Sequence, residues 1–291
     1  MIILLSSSPV FISYSLAEPY KAIIITLDDG MLSQFTYAKP ILDKYNFKAT
    51  FYIICNSVDK ENRLNWNNIQ TLEEEGHEIG SHSMNHKKLG KLSEENIKYE
   101  IIESKRCLQD NGFNVTSFSF PYNDGDNNQN ILKIIADNYY IARTASEPLM
   151  FFQCRGEEEG FGIEDEEKYE NQCDKYSTEN KENELQSDFT RYTITGLSHE
   201  LYKKSGGYSD EEMFEQFIHI VESQTQYNTD NAIRAIPILI YHSVDYSGDD
   251  YSINPGLFEK EMKHLFENGY KIFQMNDIVY DNEEGLHIKG H

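Results

Sequence analysis

The sequence predicts an α/β fold, a distorted or incomplete (β/α) barrel of seven to eight strands carrying an acidic insertion. Short apolar or β-branched runs alternate with helical periodicity from residue 22 to the end of the chain. Helix start and stop signals fall between those runs, so strand follows helix as a parallel sheet requires. One stretch, 146–189, breaks the pattern: it is rich in Asn, Glu and Gly and nearly free of aliphatic periodicity. It reads as a solvated surface insertion.

Eight candidate strands cover 22–27, 49–55, 77–81, 115–120, 139–143, 190–195, 235–241 and 270–274, with helices at 33–45, 66–75, 93–111, 127–137, 210–226 and 255–268. The third helix opens on Ser93, a side chain able to cap free N–H groups, followed by Glu94 and Glu95 in the first turn, and Gly112 stops it. The last helix has Asn254 before Pro255 and ends at Gly269. Trp66, the only tryptophan, opens the second helix, where an amphipathic face can use it as core.

Composition bounds the function. With 39% hydrophobic and 13% aromatic residues, the 291-residue chain can build a real core. A formal charge of −23 opposes a phosphate backbone, which excludes nucleic acid as a partner and favours a neutral over an anionic glycan. Residues 155–188 concentrate thirteen acids against four bases, a net of −9. Residues 1–17 are apolar and end in Ser15-Leu16-Ala17, the pattern of a secretory signal peptide, although no Lys or Arg precedes the apolar run. That run is too short and interrupted to span a bilayer stably. The expectation is a secreted or cell-surface protein with residues 18–291 as its domain. Cys55 and Cys107 read as buried thiols, whereas Cys154 and Cys173 bracket the acidic stretch and are placed to close it with a disulfide.

The chemistry centres on Ile23 to Gly30 (I-I-I-T-L-D-D-G), a buried strand that delivers Asp28 and Asp29 to its C-terminal end, where α/β barrels place their active sites. About fifty residues on, H-S-M-N-H holds His82 and His86 one helical turn apart, able to converge on one ion. Nine histidines produce roughly 0.3 such pairs by chance, and His287 with His291 repeats the spacing without other features. One carboxylate and two imidazoles form a facial set that leaves positions open for water and substrate.

The run A-I-I-I-T-L-D-D-G, then K-A-T-F-Y-I at 48–53, then E-E-G-H-E-I-G-S-H-S-M-N-H at 74–86 resembles the polysaccharide deacetylases, carbohydrate esterase family 4. The family's T-F-D-D-G motif matches 26–30 with Leu27 for Phe, and H-S/T-x-x-H/D matches 82–86. R-x-P-Y/F matches 119–122 with Ser119 in place of the arginine, and L-x-x-H matches 239–242. The resemblance covers roughly 20–145 and 235–280 and implies a (β/α) barrel. It also implies a divalent metal, zinc by expectation, on Asp29, His82 and His86, with Asp28 as general base. The oxyanion would meet the backbone N–H of Tyr122 after Pro121, and His242 would protonate the leaving amine. His199, in I-T-G-L-S-H, competes for the acid role. The Lys-Lys-Ser-Gly-Gly loop after it favours a substrate contact instead, whereas a helix and terminal strand follow His242.

Two departures stand out. Ser119 lacks the charge that would orient the base, for which Arg143 is the candidate substitute, and no motif pairs an Asp with a Trp near the expected place. The expected activity is metal-dependent hydrolysis of the carbon–nitrogen bond of N-acetyl groups on an amino-sugar polysaccharide. The alternatives are a polysaccharide O-acetyl esterase and a non-catalytic glycan-binding protein.

Overall fold

The computed structural model describes residues 19–152, 190–200, 207–229, 231–281 and 285–290. The signal-peptide reading of 1–17 and the proposed Cys154–Cys173 pairing lie outside them. Strands β1 (Ala22–Leu27), β2 (Thr50–Ile53), β3 (Glu78–Ser81), β4 (Ser117–Ser119) and β5 (Ile141–Arg143) pair in parallel and in sequence. Next come β6 (Leu149–Phe151), β7 (Leu197–Ser198) and β8 (Ala235–Tyr241), the last pairing in parallel with β1. Ile194 bridges Arg143 in parallel, and the segment runs on into β7, which pairs with β8. The circuit of pairings therefore returns to β1, a (β/α) barrel with its weakest seam between β5 and β7.

Helices α1 (Lys39–Lys44), α2 (Trp66–Glu74), α3 (Glu94–Lys98), α4 (Ser104–Asp110), α5 (Gln129–Asn138), α6 (Asp210–Glu222) and α7 (Pro255–Glu267) fill the crossovers. Their starts are written in the sequence. Asn65 and Asn68 cap α2 reciprocally, Ser209 and Glu212 do the same for α6, and Asn254 accepts from Gly256 N–H at the head of α7. Two helices carry a π-turn, Gln34–Ala38 before α1 and Tyr99–Glu103 between α3 and α4.

Alternation along the strands sorts the side chains. Ile23, Ile25, Leu27, Phe51, Ile53, Ile79, Phe118, Ala142, Leu239 and Tyr241 pack outward with the helices. Ala22, Ile24, Tyr52, Ile141, Ile194, Ile236 and Ile238 form a second, lumenal cluster. Gly80 faces the same lumen because a Cβ there would stand 2.5 Å from the Tyr52 ring. Met275, Ile278, Leu286 and Ile288 close the lumen at the N-terminal end of the strands; three of them lie on the hairpin β12 (Ile278–Asp281) and β13 (Gly285–Ile288).

Several sequence expectations change. The run 190–195 is not a strand. Thr190–Tyr192 is a 3-10 turn, and the pairing falls on Ile194 and then β7. Residues 146–152 are not part of a surface insertion: Leu149, Met150 and Phe151 are buried, and β6 pairs antiparallel with Pro237, Ile236 and Ala235 of β8. Tertiary pairing there captures a short apolar run whose acidic neighbours mask it. Cys55 and Cys107 are not separate thiols but form a disulfide, with Cα atoms 6.4 Å apart. Two small ladders, β9 (Ser243–Val244) with β10 (Ser252–Ile253) and β11 (Lys271–Phe273) on the first half of β1, complete the fold.

Candidate active site at the rim of the barrel

Continuing the lumenal parity past the strand ends gives the site. From Ile24 and Thr26 the next inward position is Asp28, and from Ile238 and Ile240 it is His242. Gly80 leads to His82, Ser117 to Ser119, and Ile141 to Arg143. Asp28, His82, Ser119 and Arg143 are all buried. The strand spacing thus collects side chains from five crossovers around one opening.

Asp29 leaves this parity. Its φ is +76°, followed by Gly30 at +63°, so the chain turns sharply and swings the second carboxylate to a different place from the first. The guanidinium of Arg63 donates to Asp29 O at 2.7 Å and fixes that turn. Asp29 Oδ1 stands 3.5 Å from His82 Nε2 and 3.5 Å from His86 Nε2, and the two imidazole nitrogens are 3.1 Å apart. His82 and His86 are not on a helix. A loop with left-handed Ser83 (φ +63°) and His86 (φ +58°) folds the second ring back over the first, centroids 4.6 Å apart. His82 Nδ1 lies 2.9 Å from Ser119 O, which sets its tautomer with Nε2 facing Asp29. Burial first, then the neighbouring His82, lowers the pKa of His86 to about 4, so its ring is neutral near pH 7.

These residues fit a divalent cation. Asp29 Oδ1 is buried and accepts no hydrogen bond, and it points where the two Nε2 lone pairs converge. Bonds of about 2.1 Å around a tetrahedral ion separate ligand atoms by about 3.4 Å, close to the spacing observed.

Asp28 is held differently. One Arg143 nitrogen donates to both of its oxygens, at 2.5 and 2.7 Å, and to Ser119 Oγ at 2.9 Å. Ser119 is the register partner of Arg143 across β4 and β5. The small residue on one strand thus leaves room for the long one on the next, whose guanidinium also lies over the Tyr52 ring at 5.0 Å. Burial would raise the pKa of Asp28; the Arg143 charge, then those of His82 and His242, outweigh it and hold the pKa at about 2.

His242 faces the aspartates from the end of β8. Its Nδ1 is 2.9 Å from Glu200 Oε2, and its backbone N–H donates to Glu200 Oε1 at 2.7 Å. Burial would lower its pKa, but the Glu200 carboxylate, then Asp28 and Asp29, raise it to about 9, so the imidazole is protonated at neutral pH. Gln34, on the helix after β1, donates to the carbonyls of both Asp28 and His242 and ties the two strand ends together.

His199 is not a substrate contact. It is fully buried outside the barrel, with Nε2 3.0 Å from Met213 O and its ring against Phe217 and Tyr241. Counting inward positions from Ile194 through Gly196 and Ser198 reaches Glu200, so His199 necessarily faces the other way. The count has to start from Ile194, whose inward side is set only by its pairing with Arg143, so Glu200 is not legible in the sequence. Pro121 opens a 3-10 turn, and Tyr122, left-handed (φ +58°) and exposed, lays its ring over His86, centroids 4.5 Å apart.

Residues 16–141 match the family model described as polysaccharide deacetylase. The peptidoglycan-N-acetylglucosamine deacetylase PgdA of Listeria monocytogenes is 33% identical over 108 residues, 36% of this chain and 22% of that protein. A peptidoglycan-N-acetylglucosamine deacetylase of Bacillus cereus is 33% identical over 101 residues, 33% of this chain and 34% of that protein. The chain therefore spans well under half the length of these relatives. Among solved structures, the Xyl-CE4 domain of a multidomain xylanase from the hindgut metagenome of Trinervitermes trinervoides superposes with a TM-score of 0.54. That match covers 88% of each chain at 17% identity, a likeness of fold. What these comparisons have in common is likeness to polysaccharide deacetylases, carried by residues 16–141, somewhat under half of the chain.

Proposed function

We propose that the protein is a metal-dependent hydrolase that removes N-acetyl groups from an amino-sugar polysaccharide. One observation carries the reading: the ligand atoms of Asp29, His82 and His86 converge within 4.8 Å of one another, between an ionised aspartate and a protonated histidine. Asp29, His82 and His86 would hold the ion, with zinc favoured by the donor set. When bound there, it would acidify a water and polarise the acetyl carbonyl.

The chain's own groups supply the rest. Asp28, kept ionised and oriented by Arg143 and Ser119, accepts the proton of the attacking water. Its low proton affinity makes it a weak base, so the water has to be acidified first. The backbone N–H of Tyr122 is the oxyanion donor that the resemblance assigns. His242 carries the proton that the departing nitrogen needs, and Glu200 holds both its charge and its ring orientation. A protonated histidine matters most for a poor leaving group such as an amine, which favours amide over ester hydrolysis.

The Cys55–Cys107 disulfide supports an exported or cell-surface location, where such bonds persist. No helix among the described residues is long and apolar enough to cross a membrane. The decisive experiment compares acetate release from N-acetylglucosamine oligomers and from acetylated xylan, with metal content measured in parallel. Wild-type protein carries near-stoichiometric metal and acts on the amino sugar; His82→Ala with His86→Ala loses both. Metal retained in that double variant overturns the ligand set, and release from xylan alone makes the protein an O-acetyl esterase.

A further inference from the structure

The loop that bears His82 and His86 is held from two sides. On one side lies the turn after β2: Cys55 N–H donates to Ser83 O at 3.3 Å, Asn56 N–H to Met84 O at 3.0 Å, and Asn56 Nδ2 to Asn85 Oδ1 at 2.8 Å. On the other lies Glu100, buried in the helical run 94–110. Its carboxylate accepts from Asn85 N–H at 2.7 Å and Asn85 Nδ2 at 2.8 Å, and its carbonyl accepts from Met84 N–H at 3.1 Å. The loop needs such support, because Ser83 and His86 both sit in the left-handed region that non-glycine residues leave readily. Two turns beyond Glu100 in the same helical run, Cys107 is bonded to Cys55. The disulfide therefore joins the two walls that grip the loop.

We propose that Asn56 and Glu100 are positioning residues for the His82–His86 pair, and that the Cys55–Cys107 bond sets their separation, so that metal affinity depends on the disulfide. The inference rests on the ligand set proposed above. Cutting the bond leaves every ligand in the chain but lets the walls part, and each binding event must then restore the strained loop.

The test is zinc affinity at pH 7, read by competition with a chromophoric chelator, beside thermal melting of the metal-free protein. Cys55→Ala with Cys107→Ala is used rather than reduction, because free thiols would themselves bind zinc. Glu100→Gln, which keeps the side chain's shape but only one acceptor oxygen, is the second variant. Met262→Ala, a core truncation in α7, is the control for loss of stability alone. Expected is zinc Kd raised about 10–100-fold in the cysteine variant, the range for outer-shell changes, and raised in Glu100→Gln as well. Met262→Ala melts earlier with Kd unchanged. Kd within about twofold of wild type in both test variants, whatever their melting temperatures, overturns the proposal. Failure of the wild-type protein to bind zinc instead overturns the ligand set on which it rests.

Discussion

Replacing Glu200 by glutamine tests how the barrel keeps the His242 imidazole charged. Glu200 is fully buried and meets His242 twice, through the backbone N–H and through Nδ1. The amide keeps one acceptor oxygen, enough for one of those donors but not both, and loses the charge. Raising the imidazole from 6.5 to about 9 corresponds to roughly 3 kcal/mol in favour of the protonated ring. Burial opposes that state, and Asp28 and Asp29 contribute less than Glu200 does. Glu200→Gln should therefore bring His242 down to about 7 or below.

The sign for stability follows. A raised folded-state pKa stabilises the fold fully below 6.5 and loses that contribution as pH rises through about 9. Wild type should exceed Glu200→Gln by about 2–3 kcal/mol at pH 6, and the gap should narrow between pH 6.5 and 9. The assay is NMR titration of the His242 ring in metal-free protein, with urea unfolding at several pH values. In the active enzyme, the alkaline limb of the rate profile should move down with the titration. A His242 titration that stays near 9 in Glu200→Gln would refute the account of its charge.

The two aspartates should separate: Asp28→Asn keeps metal and loses about 10²–10⁴-fold in turnover, whereas Asp29→Asn loses metal in elemental analysis. Equal metal loss in both would merge their roles. Arg143→Ser should destabilise by about 3–5 kcal/mol in urea unfolding, since it strands a buried carboxylate, and should lower turnover. Adding Ser119→Arg should restore part of both, because the two positions are register partners facing the same lumen. No recovery would mean that the guanidinium has to come from β5.

Much of the fold and site was legible from local pattern. β1 and β8 were found to the residue, and the caps at Ser93 and Asn254 marked helices that the structure keeps, because both depend on nearest neighbours in the chain. The motif residues Asp28, Asp29, His82, His86 and His242 stand out in the sequence and lie around one opening. Arg143 was only a candidate in the sequence, since a guanidinium at a strand end fits an ion pair anywhere; register against Ser119 is what aims it at Asp28.

What the sequence could not supply is whatever depends on pairing between distant segments. His199 and Glu200 are adjacent, and only the registration of β7 against β8 decides which enters the lumen and which is buried against α6. The Cys55–Cys107 bond and the pairing of β6 with β8 arise in the same way, from contacts across 52 and about 85 residues of chain. By itself the sequence determined which side chains could do the chemistry, because strand parity and capping are local. The tertiary structure decided which of them share one space, because closing the barrel brings five strand ends together and aligns their inward positions.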